Sequence, residues 1–98
     1  MQARALDAAA FLKALGHDGR LLILYHLRMG ERNVAELERL CMSRQAAVSQ
    51  QLARLRHERL VTTRRDGNQI VYALADPRVR RVLDLLDRMQ AGSADRDK

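Results

Sequence analysis

Apolar positions recur along this chain with two different periods, and the change of period divides it. From Ala3 to Leu15 they fall at Leu6, Ala9/Ala10, Phe11/Leu12 and Leu15, close to helical spacing. "GHDG" (16–19) interrupts the run with two glycines. "RLLILYHLRMG" (20–30) is apolar on most sides and reads as a short buried helix stopped by Gly30. That run alone also fits a buried strand, but its leucine content and its place in the series favour helix. Asn33 is placed to cap a third helix over Val34 to Cys41, with Glu36 at the capping-box position. A fourth helix is expected from Arg44 to Glu58, where Val48, Leu52 and Leu55 share one face at i, i+4 and i+7.

The period then shortens. "LVTTRR" (60–65) and "IVYAL" (70–74) are rich in β-branched residues, and "DGNQ" (66–69) between them is a turn signal. Together they predict a β-hairpin. Asp76 before Pro77 predicts an N-cap followed by proline at the first helical position. Val79, Val82, Leu83, Leu86 and Met89 form an apolar stripe on that last helix. "AGSADRDK" (91–98) is polar and expected to be a disordered tail. The predicted order is α-α-α-α-β-β-α, mainly α with a β-hairpin wing, which describes a winged helix-turn-helix over residues 1–90.

Composition sharpens this picture in three ways. A chain of 98 residues holds one small domain, which buries a limited core and gains from self-association. Lys and Arg total 18 against 12 Asp and Glu, a net charge of +6 that favours nucleic acid over acidic membrane or an acidic protein partner. One cysteine excludes an internal disulfide framework and fits a reducing compartment. The charged N-terminal stretch has no signal-peptide core and no apolar run approaches a membrane span, so a cytoplasmic protein with no membrane partner is expected.

The candidate chemistry lies on the fourth helix and the hairpin. With Val48 facing inward, the opposite side carries Ala46, Gln50, Ala53 and His57, flanked by Ser49 and Arg54. The alanines permit close approach to a major groove, while Ser49 and Gln50 offer hydrogen bonds to base edges; Gln can pair bidentately with adenine. Gln45 lies near the same end. Arg44, Arg54 and Arg56 are placed to meet phosphates, which position a protein without reading sequence. The same face also reads as an ordinary solvated helix surface. Arg64, Arg65, Asn68 and Gln69 cluster toward the hairpin tip, where a wing touches phosphate or enters the minor groove, or is simply a solvated turn. No paired carboxylates, Cys/His pair or glycine-rich phosphate loop suggests an enzyme.

These segments carry a family resemblance. "LKALGHDGRLLIL" (12–24), "VAEL" (34–37), "RQAAVSQQLARLRHERLV" (44–61) and "RRDGNQIVYAL" (64–74) resemble the ArsR-type winged-helix transcriptional regulators of bacteria, over most of residues 5–90. The resemblance implies a homodimeric repressor that binds a palindromic promoter site on double-stranded DNA. It implies pairing through the first and last helices, with the dimer surface around Leu6, Phe11, Val79, Val82, Leu86 and Met89; these residues also read as intramolecular core. The alternative is a winged-helix protein–protein module or regulatory subunit without DNA binding.

The resemblance also bears on effectors. The zinc-sensing branch has an Asp, two His and a Glu on its last helix; here Asp76 matches the first, but Arg78, Met89 and Gly92 stand at the other places. The thiolate motif of the heavy-metal sensors is missing as well. No metal and no cofactor are therefore expected. The nearest branch contains dithiol sensors of sulfide and oxidation, whose two cysteines correspond here to Tyr25 and Ala91. Cys41 stands where relatives have an aliphatic residue, so it reads as a small core residue. A redox role would rest on a thiol pKa lowered by a nearby helix N-terminus, Arg39 and Arg44. Relatives favour glycine at Met42 and an aliphatic at Ser43, so a turn of different shape is expected there.

Overall fold

The computed structural model describes residues 2–42 and 45–96. Helix α1 (Gln2–Leu15) closes at Gly16, whose N–H donates to the Leu12 carbonyl at 2.8 Å. His17 then starts α2 (Asp18–Arg28) in extended backbone, and its Nδ1 accepts from the N–H groups of Gly19 and Arg20. Sequence reading treats "GHDG" as a break; histidine here does the work of a Ser or Asp N-cap, satisfying two otherwise orphaned donors. A two-residue strand, β1 (Arg32–Asn33), follows and was not foreseen. Asn33 has the extended backbone an N-cap requires, which also lets this short stretch pair with a strand.

Helix α3 (Val34–Cys41) begins with the expected capping box: Glu36 N–H donates to Asn33 Oδ1 at 2.8 Å, and Asn33 N–H donates to Glu36 Oε1 at 2.9 Å. It ends at Met42, which takes the left-handed conformation (φ 52°, ψ 41°) and donates its N–H to the carbonyls of Glu38 and Arg39. The expectation of a differently shaped turn is corrected at this residue. Met42 adopts the conformation glycine favours; its side chain is 92% exposed and meets no neighbouring element, so the cost is confined to its own Cβ and backbone. Ser43, the other residue of that expectation, lies outside the described residues.

Helix α4 (Gln45–His57) ends in a Schellman arrangement. Arg59 is left-handed (φ 62°), its N–H donates to the Arg56 carbonyl, and Leu60 N–H donates to the Leu55 carbonyl. Leu55 and Leu60 are both buried in one cluster, which is the apolar contact that accompanies this motif. The turn delivers the chain into β2 (Val61–Asp66), which pairs antiparallel with β3 (Gln69–Leu74). Asp66 faces Gln69, and Gly67 supplies the positive φ (64°) of the two-residue loop. The sheet order is β1-β3-β2, with Asn33 opposite Val71.

Asp76 accepts the Arg78 N–H at 2.9 Å and so caps α5 (Pro77–Arg96) as expected. The helix runs through residues 91–96, where a disordered tail was expected. Those residues contain no proline and two alanines, so the polar composition that suggested disorder does not break the helical ladder. Arg28 joins α2 to α5, reaching Asp84 at 2.9 Å and Asp87 at 2.6 Å, while Arg80 donates to the Arg28 carbonyl.

The core lies where α2 meets the other helices and β3. Ile23, Leu24, Leu37, Val48, Leu52, Leu55, Leu60, Val79 and Leu83 are fully buried there. Each such side chain contributes about 1.5–3 kcal/mol of burial. Val48, Leu52 and Leu55 hold the apolar side of α4 inward, which leaves its opposite side to solvent.

Candidate nucleic-acid interface

Among the described side chains of α4 the exposed residues are Ala47, Ser49, Gln50, Ala53, Arg54, Arg56 and His57. They turn outward because the core holds Val48, Leu52 and Leu55. Arg44 lies outside the described residues; Gln45 and Ala46 open α4, but their side chains are outside the description. Arg54 pairs with Glu58 one turn on, at 3.4 Å, and both side chains remain partly exposed. Such a pair is weak in water, so a phosphate can compete for the guanidinium.

The hairpin separates its two arginines. Arg64 lies opposite Val71 and Arg65 opposite Ile70, so they project from opposite faces of the wing. Glu31 accepts both Arg64 Nε (2.7 Å) and an Arg64 terminal nitrogen (2.8 Å). This paired geometry holds the Glu31 carboxyl below its ordinary range, chiefly through the hydrogen bonds from Arg64, and gives Arg64 a two-bond partner within the chain, although both side chains remain partly exposed. Gln69 accepts from Asn33 Nδ2 at 2.8 Å, so it too is engaged, bracing the wing against β1. Arg65 and Asn68 are exposed near the tip. The sequence grouped all four residues together; their partners on the segment around β1 divide them.

Other assignments move further. Val79 is fully buried in the chain's own core, so it is corrected from the expected dimer surface to the core. It sits one helical turn from Leu83, also fully buried, and both face α5's own neighbours rather than a second chain. Phe11, Val82 and Leu86 are half-buried, and the Arg78 guanidinium covers the Phe11 ring at 4.2 Å. Leu6 and Met89 are 71% and 60% exposed. Leu12 and Leu85 are exposed as well, beyond the residues expected at that surface. Their signal was present in the sequence, since Leu85 lies four residues before Met89 on the same helical face.

Cys41 is buried, and burial pushes its thiol pKa up. The lowered value on which a redox role depended is therefore corrected: desolvation disfavours the thiolate. Tyr25 lies under the Arg28 guanidinium; its phenol is also pushed up, first by burial and then by the Asp87 charge. Asp76 is engaged with Arg78 and the start of α5. Among the described residues, no group of three or more His, Cys, Asp or Glu is placed to hold a metal ion. No helix among them is long and apolar enough to cross a membrane.

An outward polar helix face, flanked by arginines and followed by a hairpin wing, is the arrangement on which comparison with known proteins bears. Residues 17–63 match the family described as bacterial regulatory protein, arsR family. The biofilm growth-associated repressor of Agrobacterium fabrum is 42% identical over 86 residues, covering 88% of this chain and 74% of that protein. The chain belongs to the arsR family. It is a winged helix-turn-helix, DNA-binding transcriptional regulator, and the rival reading as a module without DNA binding is set aside. The transcriptional activator HlyU of Vibrio cholerae is 36% identical, over 91% of this chain and 82% of that protein. The structure of reduced HlyU superposes with a TM-score of 0.86, covering 91% of this chain and 94% of that one. The AntR antimony-specific transcriptional repressor gives a TM-score of 0.89 at 33% identity, covering 97% of this chain and 86% of that one.

Proposed function

We propose that this regulator acts as a homodimeric repressor at a palindromic promoter site. The observation that carries the reading is the division of α4 into a buried side (Val48, Leu52, Leu55) and an exposed side (Ser49, Gln50, Ala53). The exposed side presents base-reading groups to a major groove, with Ala53 leaving room for close approach. Arg54, Arg56 and Arg65 meet phosphates on either side, and Asn68 lies at the wing tip. From the sequence alone, Arg44, Gln45 and Ala46 are assigned to the same role. Arg64 and Gln69 brace the wing and make no base contact.

The dimer reading rests on α1 and α5. Residues 2–10 of α1 are exposed throughout, and a helix with so little buried surface is marginal on its own in water. Leu6 and Leu12 on α1, with Leu85 and Met89 on α5, supply apolar surface for a second copy. A two-fold dimer places two α4 helices at half-sites about one DNA turn apart. Repression follows the Agrobacterium fabrum relative's name. The test is selection of bound fragments from the source genome with the purified protein. The expected result is one enriched inverted repeat, bound with a steep salt dependence. Binding of all fragments alike would reject the reading.

A further inference from the structure

Arg20 stands at a junction of three helices. Its Nε donates to the Ala14 carbonyl at 2.6 Å and one terminal nitrogen to the Lys13 carbonyl at 3.2 Å. Its other terminal nitrogen donates to Gln51 Oε1, on α4, at 3.0 Å. One planar guanidinium thus joins the end of α1, the start of α2 and the middle of α4. The rigid fork of arginine permits this; a lysine ammonium would not span the same three acceptors. The backbone makes room for it. A Cβ at Gly19 would lie 3.1 Å from the His17 ring, so glycine leaves room for the His17 cap, while its 3.7 Å distance from Gln51 Cγ would be ordinary contact and places the start of α2 beside α4.

We infer that Arg20 is a positioning residue for DNA recognition, acting through Gln51 to set the rotation of α4 relative to α1. Gln51 follows Gln50, and successive residues are separated by about 100° around a helix. Holding the Gln51 amide to one side therefore aims Gln50 outward. The apolar contacts of Val48, Leu52 and Leu55 oppose sliding of α4 but resist a small roll weakly, because dispersion contacts are individually small and non-directional. A charge-assisted hydrogen bond at 3.0 Å is directional and supplies that constraint. The α1 carbonyls it also holds end a helix whose residues 2–10 are exposed throughout, so Arg20 is one directional link by which a displacement of α1 reaches α4. The inference rests on the reading of α4 as the element that recognises DNA.

The test compares the unaltered protein with Arg20→Gln, Gln51→Leu, the double variant and Gln51→Glu. Dissociation constants are measured for the genomic fragment selected as above and for a random-sequence duplex of equal length, alongside thermal unfolding. Each single variant should lose about tenfold in preference for the selected fragment, the scale of one hydrogen bond to a charged group. Its affinity for random duplex and the salt dependence of that affinity should stay unchanged. The double variant should lose no more than the worse single variant, since one contact is removed in all three. Gln51→Glu keeps the acceptor, so its preference should be retained even if its added charge weakens binding to both duplexes. Should Arg20→Gln fail to fold, Gln51→Leu still tests the link, because it leaves the bonds to Ala14 and Lys13 in place. Unchanged preference in the single variants, or equal losses on both duplexes, would overturn the role of Arg20. An unaltered protein that does not distinguish the two duplexes would instead remove the reading of α4 itself.

Discussion

Glu31 holds Arg64 through two hydrogen bonds of 2.7 and 2.8 Å, while Arg65 projects from the other face of the same strand. Two adjacent arginines that look equivalent in the sequence therefore have different surroundings, and the proposed DNA contact falls to Arg65. Arg65→Ala should reduce the magnitude of the log–log salt slope of DNA binding by about 1.8, or about 0.9 for the one phosphate contact made by each of two protomers. Arg64→Ala should leave that slope near its original value. Fluorescence anisotropy titrations at a series of salt concentrations distinguish them, and equal slopes for both variants would refute the assignment.

Gln50 lies on the exposed side of α4, opposite the core. Gln50→Ala should cost about 1–3 kcal/mol per half-site at the selected fragment and relax the preference at one base position in each half-site. Binding to random duplex should be unaffected. Fragment selection repeated with the variant reads both effects.

Val79 and Met89 share α5 but occupy opposite circumstances, one fully buried and one 60% exposed. Met89→Glu, or Leu85→Glu, should convert the proposed dimer to monomer in sedimentation experiments without unfolding the chain. Val79→Ala should lower stability by about 1–3 kcal/mol through lost packing and leave the monomer–dimer equilibrium of the folded protein unchanged. Dissociation caused by Val79→Ala and not by Met89→Glu would reverse the assignment.

Met42 and Arg59 both hold left-handed backbone without glycine's freedom. A non-glycine residue there carries a penalty of roughly 1–2 kcal/mol, partly offset by glycine's larger entropy when unfolded. Met42→Gly and Arg59→Gly should each raise stability by about 0.5–1 kcal/mol, seen as a higher urea midpoint at constant slope. Met42→Ala, which keeps a Cβ, should give no such gain.

Asp76 is held below the ordinary carboxylate range, chiefly by hydrogen bonding to the Arg78 side chain, with the Arg78 N–H and charge adding to it. A folded-state pKa below the unfolded one means that the unfolded chain binds the proton more readily. The stabilisation is therefore complete above the unfolded value and lost as pH falls through the folded one. Asp76→Asn retains a good helix cap but removes the charge. Its thermal midpoint should lie below the original at neutral pH, and the two should converge in acid.

Much of the fold was legible because its signals are local. Asn33 and Glu36 lie three residues apart and form the predicted capping box; Val48, Leu52 and Leu55 follow helical spacing and are all buried. Gly67 and the flanking β-branched runs likewise specify the hairpin through short-range sterics. The exposed side of α4 was equally readable, since a buried face determines its opposite. No comparable signal marked His17 as a cap, Arg59 as left-handed, or β1 as a strand. Their conformations depend on neighbours that complete the hydrogen bonds.

The sequence by itself determined the kinds and order of the main elements, the inward face of α4 and the caps of α3 and α5. Periodicity, side-chain shape and backbone sterics act within a few residues, so they can be read without knowing the packing. Tertiary structure alone decided that Arg64 belongs to Glu31, that Gln69 belongs to Asn33 and that Arg20 reaches Gln51. It also separated buried Val79 from exposed Met89 and gave Cys41 a raised pKa. Those outcomes depend on which surfaces are brought together across long stretches of chain. Charge and apolarity in the sequence supply candidates for such contacts, and packing selects among them.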